Sequence, residues 1–137
     1  MPWYSQCLTM SDLTSQPDVV SLRPFVPAKD VAVSMQFYGD LGFTIRPLGP
    51  DLAVAELGPF SVFLQKYDVP SFAENYMLQL MVNDLDAWWK RIEALDLAAK
   101  YGLTWKPRPP AVQPWGLTVA YVADPTGVLW HIAQKPS

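Results

Sequence analysis

The amino-acid sequence predicts a mixed α/β (α+β) fold of two βαβββ modules whose small mixed sheets curl into a cup. Three observations lead there. A strand, a helix and three further strands can be read in the first half; turn signals of the Gly-Pro and Asp-Pro type separate them; and the second half repeats the first when the chain is shifted by 54 positions. The shift sets Val26 on Leu80, Asp30 on Asp84, Val31 on Leu85, Met35 on Trp89, Tyr38 on Ile92 and Leu41 on Leu95, as an internal duplication would.

Residues 1–20 show neither helical nor strand periodicity and are expected to form an arm or leader, with Met10 as a second candidate start. If this arm docks, Trp3 and Tyr4 are its anchors. A single domain is expected over 21–137, with modules at about 22–67 and 76–135. The first module opens with a strand through Leu22–Ala28, and Asp30 then offers a side-chain oxygen to cap a helix. Val31, Met35, Tyr38 and Leu41 recur on one face of that helix, and Gly42 supplies its stop. Phe43–Leu48, Leu52–Leu57 and Ser61–Tyr67 are rich in β-branched and aromatic residues and read as three strands. Val69–Asn75 is a proline-containing connector.

In the second module, Tyr76–Val82 reads as a strand, Asp84 as an N-cap, and Leu85 to about Leu97 as a helix. Its core residue is expected to be Trp89, with Trp88 at the core edge or in a dimer contact. A proline-rich stretch follows, then strands Leu117–Ala123 and Val128–Gln134 joined by the turn Asp124-Pro125-Thr126-Gly127. Helices covering one face of each sheet leave two apolar faces that must pair or line a cavity.

Composition narrows the function. With 137 residues, 50% hydrophobic and 17% charged, the chain can bury one core. No apolar run is long enough to span a bilayer, and the first twenty residues hold no Lys or Arg to open a signal peptide. Cys7 is the only cysteine, which excludes an intrachain disulfide and suits a cytoplasmic location. A formal net charge of −3 gives no general attraction for nucleic acid and favours, weakly, a cationic ligand.

Local motifs add a resemblance. The run Leu22-Arg23-Pro24-Phe25-Val26-Pro27-Ala28-Lys29-Asp30-Val31, then Phe37-Tyr38 and Leu41-Gly42-Phe43, looks like the opening of the vicinal-oxygen-chelate superfamily, which includes glyoxalases, dioxygenases and bleomycin-resistance proteins. Gln113-Pro114-Trp115-Gly116, Asp124-Pro125-Thr126-Gly127 and His131, in that order, resemble the ending of bleomycin-binding proteins. Enzymes of the superfamily hold a divalent metal, and the positions resembling their ligands are Arg23, Phe63 (or Gln65, if the strand is shifted), Met77 and His131. Only His131 is a competent donor, so no metal and no other cofactor is expected.

His131 is also the only histidine, so no histidine pair or triad can be assembled for nucleophilic catalysis. Three readings stay open for it: a core or rim histidine, a hydrogen-bonding group of the pocket, or a lone general base. Trp115, between Pro114 and Gly116, either packs structurally or stacks on a flat ligand, as the resemblance implies. Strand parity adds Phe43, Phe63, Gln65, Met77, Gln79 and Tyr121 as residues that either line the cup or fill the core, and Arg23 joins them through its matched position. The acidic groove of bleomycin binders has no counterpart here: Arg46 and the basic Lys106-Pro107-Arg108 argue against bleomycin itself. The combined expectation is a metal-free homodimer that sequesters a flat, partly apolar small molecule, without nucleic-acid or membrane partners. A divergent metal-dependent lyase, isomerase or dioxygenase is the alternative.

Overall fold

Asp30 marks where the first regular packing begins. Its carboxylate accepts the Val33 amide at 3.3 Å, and the helix α1 (Val31–Leu41) follows the short strand β1 (Phe25–Ala28). The computed structural model describes residues 15–136; the readings made of Trp3, Tyr4, Cys7 and Met10 lie outside them. Ser15 to Pro24 runs without helix or strand and is largely exposed. The first strand is therefore shorter than Leu22–Ala28, although the Pro24 carbonyl already accepts the Phe63 amide at 2.9 Å.

Gly42 ends α1 at φ 116°, a conformation other residues rarely adopt, and the Phe43 amide turns back to the Tyr38 carbonyl at 3.0 Å. β2 (Thr44–Gly49), β3 (Leu52–Leu57) and β4 (Phe60–Lys66) complete a four-stranded sheet of order β1-β4-β3-β2, in which β1 runs parallel to β4. The connector contains one short helix, α2 (Pro70–Ala73), which the proline there had concealed.

The second module repeats this plan. β5 (Met77–Met81) leads to α3 (Leu85–Leu95), capped by Asp84 on the Ala87 amide at 3.0 Å. Asp96 enters the left-handed region at φ 47° and splits the expected helix, giving a separate short α4 (Leu97–Tyr101). Arg108–Val112 forms β6 within the proline-rich stretch, where no strand is expected from sequence, followed by β7 (Thr118–Ala123) and β8 (Leu129–Gln134). The order is β5-β8-β7-β6, with β5 parallel to β8.

One buried cluster joins the helix-covered sides of both sheets. Val26, Leu64 and Ala53 of the first meet Val122, Trp130 and Ile132 of the second through Phe37, Tyr38, Leu41 and Phe43. Tyr38 is central: its hydroxyl accepts Trp130 Nε1 at 2.9 Å and donates to Asp124 Oδ2 at 2.6 Å. Asp124 Oδ1 also gathers the amides of Thr126, Gly127 and Val128 within 3.0 Å. Burial pushes the Asp124 carboxyl up, opposed by these donors, and pushes the Tyr38 phenol well up, helped by the neighbouring Asp124. At the far end of α1, Asp40 takes Lys100 Nζ at 2.6 Å and the Tyr101 hydroxyl, both of which hold its carboxyl below the ordinary range. The modules are thus clasped by α1 on the helix side, and the opposite sheet faces stay open.

Candidate functional site

The pleat decides which side chains those open faces carry. On the first sheet, Phe25, Phe63, Val54 and Arg46 lie opposite one another in register and so project to one side. Phe25 and Phe63 stack with ring centroids 4.6 Å apart and planes 16° from parallel. The Arg23 guanidinium carbon sits 5.1 Å from the centroid of the Phe63 ring. The next row in register brings Pro27 beside Gln65 and Gln65 beside Leu52. Phe25, Pro27, Gln65, Tyr67 and Phe72 line a cleft of about 160 Å³, smaller than the roughly 300–1,000 Å³ of a drug-sized site.

On the second sheet the corresponding row is Gln79, His131, Tyr121 and Arg108. Tyr121 and His131 meet edge to face at 4.8 Å. His131 Nε2 is buried and has no hydrogen-bond partner, and burial lowers the imidazole below its ordinary value, which favours the neutral ring. Met77, on the same face, is 62% exposed. The alternation read from sequence holds on β8, where Trp130 and Ile132 turn into the core and His131 turns away.

Phe43 corrects the expected set. It lies in the chain reversal before β2 begins, so strand parity does not govern it, and its buried ring packs edge-on against Tyr38 and Trp130. Trp89 and Trp88 are both only partly buried, while α3 sinks Leu85 and Ile92 instead. Trp115 is 59% exposed in the turn between β6 and β7, which is closed by the Gln113 amide on the Leu117 carbonyl at 2.8 Å. Its indole makes no ring stack or hydrogen bond with another described residue. Arg23, Phe63 and Gln65 are thus gathered on one open face and Met77, Tyr121 and His131 on the other.

The positions matched to a metal centre hold a guanidinium, a phenyl ring or an amide, a thioether and one imidazole. That set does not fit a divalent cation, and among the described residues no three His, Cys, Asp or Glu side chains converge. No helix of the described residues is long and apolar enough to cross a membrane.

No family model matches the sequence, and no curated protein matches it. Solved structures do. A bleomycin resistance determinant encoded on transposon Tn5 superposes with a TM-score of 0.73 at 22% identity, covering 85% of this chain and 98% of its own. A bleomycin-binding protein from Streptomyces verticillus, solved with copper(II)-bleomycin, gives 0.71 at 23% identity and covers 89% and 100%. A lactoylglutathione lyase from Agrobacterium tumefaciens gives 0.62 at 18% identity and covers 85% and 95%. The chain has the vicinal-oxygen-chelate fold of these proteins.

Proposed function

We propose that this chain is a metal-free small-molecule binding protein that sequesters a flat, partly apolar ligand in clefts formed by a homodimer. The observation that carries this reading is the stacked Phe25–Phe63 pair laid open on a sheet face: Phe25 remains 49% exposed in the single chain. A planar platform on a rigid sheet suits offset stacking, worth about 0.5–1.5 kcal/mol beyond the area buried. Alone, the cleft beside it has too little wall to enclose a ligand. A second copy that sets its Met77–His131–Tyr121 face opposite would supply the missing wall and cover the exposed apolar groups of both.

Gln65, Gln79 and His131 offer hydrogen bonds that orient a ligand, and none forms the partnered arrangement that nucleophilic catalysis needs. Trp115 is assigned here as a further stacking wall at the rim, and the lone Cys7 is consistent with a cytoplasmic location. Bleomycin-binding proteins of the same fold give the reading a precedent for small-molecule binding on this scaffold.

Native mass spectrometry of the purified protein, combined with equilibrium titration of flat aromatic compounds, tests it. The expected result is a dimer that takes up two ligands and returns them unchanged. A monomer at micromolar concentration would overturn the dimer clefts, and turnover that depends on added metal would favour the divergent-enzyme reading instead.

A further inference from the structure

The chain carries more acidic than basic residues, 13 against 10, yet the two are not distributed alike. Asp30 and Asp84 cap helices, Asp124 is engaged in the core, Asp40 is clasped by Lys100 and Tyr101, and Asp86 and Glu93 lie on α3. Among the residues of the eight strands, Glu56 is the only acid, and it lies 3.5 Å from Arg46 in an exposed ion pair. Arg108 stands in the row of Tyr121, His131 and Gln79, and the second sheet's strands contain no carboxylate. Arg23 lies over the Phe63 ring, with its Nε donating to the Ser21 hydroxyl at 3.2 Å. Neither Arg23 nor Arg108 is within ion-pair distance of a carboxylate among the described residues.

We infer that the ligand held between the open faces is an anion, a flat aromatic compound bearing a carboxylate, sulfonate or similar oxyanion. This rests on the binding reading above and adds the charge of what is bound. Once the Arg46–Glu56 pair is set aside, two guanidinium groups remain on the faces, one beside each aromatic cluster, and no carboxylate of the strands is left to balance them. A guanidinium offers a planar fork of donors matched to an oxyanion, while the rings beside it accept the apolar body of the same molecule. His131 Nε2, buried and without a partner on the same face, can donate to such an oxyanion in the neutral tautomer that carries its proton there. The weak preference for a cation suggested by net charge is overruled, because a bound ligand meets the local field of the face and not the average over the chain.

Three isosteric probes separate the charge from the binding itself: naphthoate, naphthamide and naphthylmethylammonium, titrated into the full-length protein by calorimetry or by quenching of tryptophan emission. Naphthoate is expected to bind at least about tenfold tighter than the other two, with an advantage that shrinks as salt is raised. Arg23→Gln and Arg108→Gln, both at exposed positions, should each weaken naphthoate about three- to tenfold while leaving naphthamide unchanged. Lys90→Gln, on the outer side of α3, should change neither. Equal affinity for all three probes, or preference for the ammonium, would overturn the anion assignment and leave the binding reading standing. Failure of all three to bind would overturn the binding reading and this inference with it.

Discussion

The phenol of Tyr38 in the first module donates a 2.6 Å hydrogen bond to the buried carboxylate of Asp124 in the second, across 86 positions of sequence. Asp-Pro-Thr-Gly read in isolation is turn chemistry, and the turn is formed: the Gly127 amide reaches the Asp124 carbonyl at 3.0 Å. The Oδ2 of the same Asp124 holds the helix of the opposite module by accepting from the Tyr38 hydroxyl. Tyr38→Phe removes an acceptor from Trp130 Nε1 and a donor from Asp124 Oδ2 without changing the ring packing. It should cost about 2–4 kcal/mol of stability, read from the denaturant midpoint. A cost below about 0.5 kcal/mol would mean that water replaces the hydroxyl at no penalty.

Trp115 and Trp130 form a natural pair for mutation, the first 59% exposed and the second 5%. Trp115→Ala should lower stability by less than about 1 kcal/mol, and Trp130→Ala by about 3–5 kcal/mol. If Trp115 stacks on the ligand, its loss should weaken binding by roughly 1–3 kcal/mol, or about five- to a hundredfold in Kd. Equal destabilisation by the two substitutions would assign Trp115 to structure alone.

Acidification should weaken the fold through His131. Burial sets its folded pKa below the unfolded value of about 6.5, so a proton binds the unfolded chain more readily. Its contribution is complete above that value and is lost as the pH falls through it towards the lower folded pKa. His131→Gln should flatten the stability profile over that interval when midpoints are compared at mildly acidic and mildly alkaline pH. A profile identical to that of the parent protein would place the acid sensitivity elsewhere.

Elemental analysis of the purified protein should find no stoichiometric transition metal, since Arg23 and Met77 occupy two of the four matched donor positions. One zinc, nickel, iron or manganese ion per chain, lost on His131→Ala, would refute this directly.

Removing residues 1–9 should leave the melting temperature and self-association unchanged, because that stretch has no periodic apolar face with which to pack. A large fall in thermal stability would show that Trp3 and Tyr4 dock on the domain.

Legibility from sequence followed the range of the forces involved. The caps Asp30 and Asp84, the stop at Gly42 and the strand Leu52–Leu57 are local matters of propensity and hydrogen bonding, and all were readable. β6 was not, because Pro109 and Pro110 mask a strand that survives only through tertiary pairing of Arg108, Ala111 and Val112 with β7. The break of the second helix at Asp96 has no glycine to announce it. Phe43 takes the core reading because it lies in the helix exit, one residue before the alternation of β2 begins. The Tyr38–Asp124 contact needs a fold before it can be seen. The separation of Arg46 and Arg108 from nearly all the acids is within reach of the sequence, since the strands hold Glu56 alone, but averaging charge over the whole chain conceals it.

The prolines of the sheet borders bear on how copies of this chain can meet. β1, β2 and β6 are border strands, and each carries at least one proline: Pro27, Pro47, and Pro109 with Pro110. Each proline removes an amide from a ladder to which another strand would have to add. Growth of the sheets into fibrils is therefore interrupted at three borders of four, and β5, Met77–Met81, is the one left without such a gatekeeper. Amyloid seeding, under conditions that loosen the fold, should begin at that methionine-rich segment.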